Sequence, residues 1–159
     1  MLRLRYVMAN AQNIAEATAL WNATNNTVGF NHGFGSASDN RFVVLETMMH
    51  NTGYFEANDP RELNLTVDGQ QIGQARPEAL FRTNHGYDSY TLAHYIEESY
   101  NNSIQRYMLF PGMFDNYQAI GKQITYVEAV NITSIVGSKG TDNFYQCVSP
   151  FVTGSNILR

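Results

Sequence analysis

Leu80-Phe81-Arg82-Thr83-Asn84-His85-Gly86-Tyr87 lies near the middle of the 159-residue chain. An apolar run, opened by Pro77 and continuing through Ala79, Leu80 and Phe81, breaks there into a polar Thr-Asn-His-Gly corner. Corners of this kind let a rigid scaffold present an amide or an imidazole to a ligand. The reading expects a strand up to Arg82 that ends at Thr83-Asn84-His85.

Upstream of the corner the pattern is that of strands and turns. Val28-Gly29-Phe30-Asn31-His32-Gly33-Phe34-Gly35 alternates apolar with small or polar residues, Ser36 to Asn40 is turn chemistry, and Arg41 to Thr47 is apolar enough for a central strand. Together they predict an antiparallel hairpin. A second hairpin is expected where Asn64–Val67 and Gln70–Gly73 flank Asp68-Gly69, a dipeptide that favours a type I′ turn. The first 27 residues are helical in period. Leu2, Leu4, Val7 and Met8 mark one helix, and Asn13-Ile14-Ala15-Glu16 is a capping pattern opening a second, so two short helices are expected on one face of a sheet.

Downstream, the helical period returns from Asp88 through Tyr90, Leu92, Ala93, Tyr95 and Ile96, then Ile104, Tyr107, Met108 and Leu109. Pro111-Gly112 is expected to interrupt it. Thr125-Tyr126-Val127-Glu128 is a further capping pattern, and Phe144 to Val148 reads as a last strand. Helices, several strands, helices, then a strand make an α+β layered domain with antiparallel sheets, and 1–159 reads as one domain.

Composition bounds the function. An apolar content of 43% with 15% charged residues is that of a globular chain. The net charge of −4 and ten scattered Lys and Arg exclude the basic stripe that nucleic acid demands. No run of 18 apolar residues predicts a transmembrane helix. The start, Met1 to Tyr6, lacks the apolar region of a signal peptide. A single cysteine, Cys147, excludes an internal disulfide framework. Five N-glycosylation sequons, at Asn22, Asn25, Asn64, Asn101 and Asn131, point instead to a secreted or lysosomal parent protein.

Four stretches in order carry a family resemblance: Ala15-Glu16-Ala17, then Asn40 to Thr47, then Arg82-Thr83-Asn84-His85, then Ser103-Ile104-Gln105-Arg106-Tyr107. Over roughly residues 1–135 the chain resembles the later two-thirds of the acyl-coenzyme A:6-aminopenicillanic acid acyltransferase family of N-terminal nucleophile hydrolases. The resemblance implies an αββα four-layer sandwich and hydrolysis or transfer at an amide bond. It implies no cofactor, and a small-molecule amide or acyl substrate. The family's nucleophile is a cysteine freed at a new N-terminus, whose own α-amine is the base. An asparagine amide with backbone N–H groups holds the tetrahedral oxyanion. By motif, Asn84 matches that asparagine, Arg106 a family arginine near the site, and Glu46 an acidic residue closing the central strand in a structural role.

The departure is the nucleophile. It lies upstream of the matched region in the family, and Cys147 cannot offer a free α-amine. The chain therefore reads as a fragment: a truncated product, or part of a processed subunit whose second chain carries the N-terminal portion, and inactive alone. The alternative is a non-catalytic secreted glycoprotein or binding domain that keeps the fold.

Each candidate has a plainer reading. Asn84 is either the oxyanion amide or an Asx-turn residue. His85 is a catalytic base or a hydrogen-bonded structural histidine, and Arg106 a site residue or an ordinary ion-pairing arginine. Cys147, in an apolar strand, reads as a small buried hydrophobe. His32, His50, His85 and His94, with Asp39 or Asp88, lack the spacing that puts two metal ligands on one face.

Overall fold

Two helices, α1 (Leu2–Asn10) and α2 (Ile14–Asn22), open the chain. The computed structural model describes residues 2–27, 29–77, 79–94 and 100–136. Asn13 Oδ1 accepts from Glu16 N at 2.8 Å, and the Glu16 carboxylate accepts from Asn13 Nδ2 at 2.8 Å and from Gln12 N at 2.9 Å. This is the expected reciprocal cap, with the carboxylate reaching one residue further out than in a standard capping box. Asp39, in a distant turn, accepts from Ile14 N at 2.7 Å and so satisfies a second orphan donor of the same helix.

The expected hairpin forms as β1 (Phe30–Ser36) and β2 (Arg41–Met48), paired antiparallel from Phe30↔Thr47 to Ser36↔Arg41. A third strand, β3 (Asn51–Phe55), continues the sheet on the other side of β2. The sequence reading did not mark it, because Asn51 and Gly53 disfavour strands and follow turn residues. Along β2 the side chains alternate. Val43 and Leu45 join Phe34, Val7, Ile14, Ala17 and Trp21 in one core, which seats the two helices on one face of the sheet. Burying each of the larger side chains is worth about 1.5–3 kcal/mol. Val44 and Glu46, on the opposite face, are also buried, so that face is covered too.

Beyond β3, a 3-10 turn (Pro60–Asn64) leads into a two-stranded ribbon, β4 (Thr66–Val67) and β5 (Gln70–Gln71). Asp68 (φ 51°) and Gly69 (φ 76°) both lie in the left-handed region, as a type I′ turn requires. The ribbon is shorter than the alternation suggested. The strand expected through Pro77 to Arg82 does not form: an isolated bridge, Arg76↔Ala79, is the pairing found there. The chain around Arg82 is held by its side chain rather than by a ladder. A short helix, α3 (Ser89–Ala93), follows, with Asp88 Oδ1 accepting from Tyr90 N at 3.0 Å as its cap.

Among the described residues, those up to 94 belong to one compact unit and 100–136 to a second. The second holds α4 (Tyr100–Tyr107), α5 (Leu109–Ala119) and α6 (Tyr126–Val136). Pro111 breaks the helical run, but at Met108 rather than at Pro111-Gly112, and α5 runs on through both residues. A proline ring collides with the carbonyl four residues earlier, here that of Tyr107, while its missing N–H costs little in a first turn. The Thr125/Glu128 cap forms as expected: Thr125 N donates to Glu128 Oε2 at 3.1 Å, and the Thr125 hydroxyl donates to the same oxygen. The described residues thus make an α+β architecture of helices and small antiparallel sheets. The strand expected at Phe144 to Val148, with Cys147 within it, lies outside the described residues.

Candidate functional site

The corner is laid across the far face of the three-stranded sheet. Asn31 of β1 and Glu46 of β2 are cross-strand partners, and period-two alternation puts both side chains on that face. Asn31 Nδ2 donates to Thr83 O at 2.7 Å and to His85 O at 2.9 Å. The Glu46 carboxylate accepts from Tyr87 N at 2.9 and 2.7 Å and from Asp88 N at 2.8 Å. Asn51 of β3 adds a hydrogen bond to Asp88 Oδ1 at 2.9 Å. Gly86 is required for this approach. A Cβ on it would stand 2.3 Å from Thr91 Cγ2 and 2.8 Å from Glu46 Oε2.

Beneath the corner sits a buried ion cluster. Arg82 forms a fork with Glu62, Nη1 to Oε2 at 2.9 Å and Nη2 to Oε1 at 2.5 Å, and its Nε lies 3.2 Å from Glu46 Oε1. The three side chains are 7%, 4% and 1% exposed for Arg82, Glu62 and Glu46, which makes solvent screening small. The guanidinium also stacks over Tyr87 at 4.3 Å and Phe55 at 4.8 Å, a favourable cation–π arrangement.

Two carboxylates share one guanidinium, so one negative charge is left for backbone N–H groups to offset. Burial pushes the carboxyls of Glu46 and Glu62 above the usual glutamate range, with Arg82 working against it in both. Burial also disfavours the Arg82 cation, but Glu62 and then Glu46 outweigh it and hold the guanidinium protonated.

The expected site residues fall in different settings. Asn84 is exposed, between buried Thr83 and buried His85. His85 has no exposed surface; its Nδ1 lies 3.0 Å from Thr83 Oγ1 and its ring 5.3 Å from that of Tyr87. The ring is thus enclosed within the corner. Arg106 belongs to the second unit, where Nε donates to Asn102 Oδ1 at 2.9 Å and Nη1 to Val136 O at 3.5 Å, tying α4 to the end of α6. Glu46 lies at the centre of the corner's support. Among the described residues no group of three or more His, Cys, Asp or Glu side chains is placed to hold a metal ion, and no helix is long and apolar enough to cross a membrane.

Of the sequon asparagines, Asn22, Asn25, Asn64 and Asn131 are exposed. Asn22 Oδ1 accepts from Tyr54 OH at 2.5 Å, and Asn131 lies within α6.

Sequence reasoning missed Asn31, Glu62 and Gly86. The one signal for Asn31 is its parity: a polar residue in an alternating strand, on the side opposite Phe34. Nothing local points to Glu62 as a partner of Arg82.

In comparisons with protein-family models, with curated proteins and with solved structures, nothing matches this chain.

Proposed function

We propose that this chain carries the oxyanion-binding corner of an amide hydrolase or acyltransferase of the N-terminal cysteine nucleophile type, built on the αββα sandwich of that class. The observation that supports it most is the setting of Asn84. Asn84, an exposed residue, sits between two residues whose carbonyls are tied to the sheet, and a fixed backbone of this kind is the preorganisation an oxyanion donor needs. The nucleophile comes from a cysteine-bearing segment outside these residues, in the same reading frame or on a second chain. The substrate is a small amide or acyl compound, and the sequons fit a secreted or lysosomal parent.

The test joins this chain to the cysteine-bearing segment encoded upstream of it and follows hydrolysis of N-acyl amides. Asn84→Ala is expected to lower kcat by about 10²–10³ with KM little changed, while Cys147→Ala leaves turnover intact. Full turnover in Asn84→Ala overturns the reading, as does the lack of a cysteine-bearing segment both in the upstream frame and on a partner chain. A second reading, a non-catalytic glycoprotein domain that binds through the same corner, draws support from Glu46, Arg82 and Glu62, which are committed to one another as in a retained scaffold. Amide binding without turnover by the joined protein favours it.

A further inference from the structure

We propose that Asn31 is the positioning residue for the Asn84 amide; this rests on the oxyanion reading above. A primary amide has two N–H groups, and Asn31 Nδ2 spends them on two carbonyls that bracket Asn84: Thr83 O at 2.7 Å and His85 O at 2.9 Å. A peptide unit is planar, so these bonds pin the 83–84 and 85–86 planes. The backbone of Asn84 runs between two fixed planes.

The anchor is itself rigid. Asn31 pairs with Glu46 in the β1–β2 ladder, and Glu46 holds the next stretch of the corner through Tyr87 N and Asp88 N. No other residue type of this size supplies what is used here. Aspartate would set a negative acceptor against two carbonyls, leucine would offer no donor, and glutamine would carry its donors one methylene too far. Asn31 acts through Asn84 and does not meet the substrate.

The experiment has two arms, the first on this full chain. In the first, ¹⁵N relaxation reads the order of the Asn84 side-chain NH₂ in the wild type and in Asn31→Ala. The order is expected to fall in the variant while the melting curve stays cooperative. If Asn31→Ala does not fold, Asn31→Gln, which keeps both donors but displaces them, carries the same comparison. An Asn84 amide equally ordered in wild type and variant overturns the proposal.

The second arm uses the protein joined to its nucleophile segment. Asn31→Ala is expected to lower kcat about 10–100-fold with KM within about 2–3-fold, since small misplacements of a catalytic group cost this much. The loss should vanish when Asn84 is already Ala, because the two act as one unit. An equal loss in both backgrounds overturns the positioning role alone. No loss from Asn84→Ala overturns the oxyanion reading, and with it the catalytic part of the inference, while the first arm still decides whether Asn31 orders Asn84.

Discussion

Asn31 and Glu46 face each other across the β1–β2 ladder and hold the 83–88 corner from opposite chemical sides. Asn31 gives its two N–H groups to carbonyls, and Glu46 receives backbone N–H groups. Two adjacent side chains thus satisfy backbone groups that a buried irregular segment would otherwise leave unpaired, a cost of about 1–3 kcal/mol for each. This arrangement explains how a loop without ladder pairing covers one face of a sheet.

The close approach at Gly86 gives a first expectation. Gly86→Ala forces a Cβ against Thr91 Cγ2 and the Glu46 carboxylate. The corner must lift or Thr91 must move, and overpacking of this kind costs about 1–3 kcal/mol. Urea denaturation should show a lower midpoint. A midpoint equal to that of the wild type would mean that the corner is not seated as described.

Arg82 should be the most costly single truncation in the first unit. Arg82→Met leaves Glu46 and Glu62 buried without their cation, and breaking a buried pair in this way costs about 3–5 kcal/mol. Arg82→Lys keeps the charge but loses the fork to Glu62, so an intermediate loss is expected. Equal losses for Met and Lys in chemical denaturation would show that the fork, rather than the charge, is what matters.

The same cluster sets a pH dependence. Burial raises the carboxyls of Glu46 and Glu62 in the folded state above the ordinary 4.5. A raised folded value contributes stability that is complete below the unfolded value and lost as pH rises through the folded one. Thermal melts should therefore show this contribution declining as pH rises above 4.5. Glu62→Gln should flatten that decline. Parallel curves for wild type and variant over that range would count against it.

Glu128 runs the other way. Hydrogen bonding to Lys122 and then to Thr125 pushes its carboxyl down from 4.5 to about 2. A lowered folded value contributes stability that is present above 4.5 and lost as pH falls towards 2. Helical circular dichroism of wild type and Glu128→Gln should differ at neutral pH and converge in strong acid. A difference that persists there would place the effect of Glu128 in packing rather than in charge.

The sequons give a prediction about tolerance. Asn25 and Asn64 are exposed and outside α-helices, whereas Asn22 is engaged by Tyr54. Expression through a secretory pathway should yield glycans at Asn25 and Asn64 that leave the melting temperature unchanged. Peptide mapping after deglycosylation reads the occupancy directly, and a chain left bare at both positions would remove this support for a secreted parent.

The features legible in the amino-acid sequence were local. The caps at Asn13/Glu16 and Thr125/Glu128, the β1–β2 hairpin and the Asp68-Gly69 turn each depend on residues a few positions apart, so their chemistry is written in adjacent letters. The sequence also marked the Thr83-Asn84-His85-Gly86 corner and Asn84 within it. Contacts between distant residues leave the chain before Thr83 out of a strand and enclose His85. The bonds responsible join residues 41 to 54 positions apart: Glu46 to Tyr87, and Asn31 to Thr83 and His85. Side-chain bonds to a distant backbone follow no period and leave no trace in propensity. The corner was legible as a corner, but what holds it became visible only once the chain had folded over the sheet.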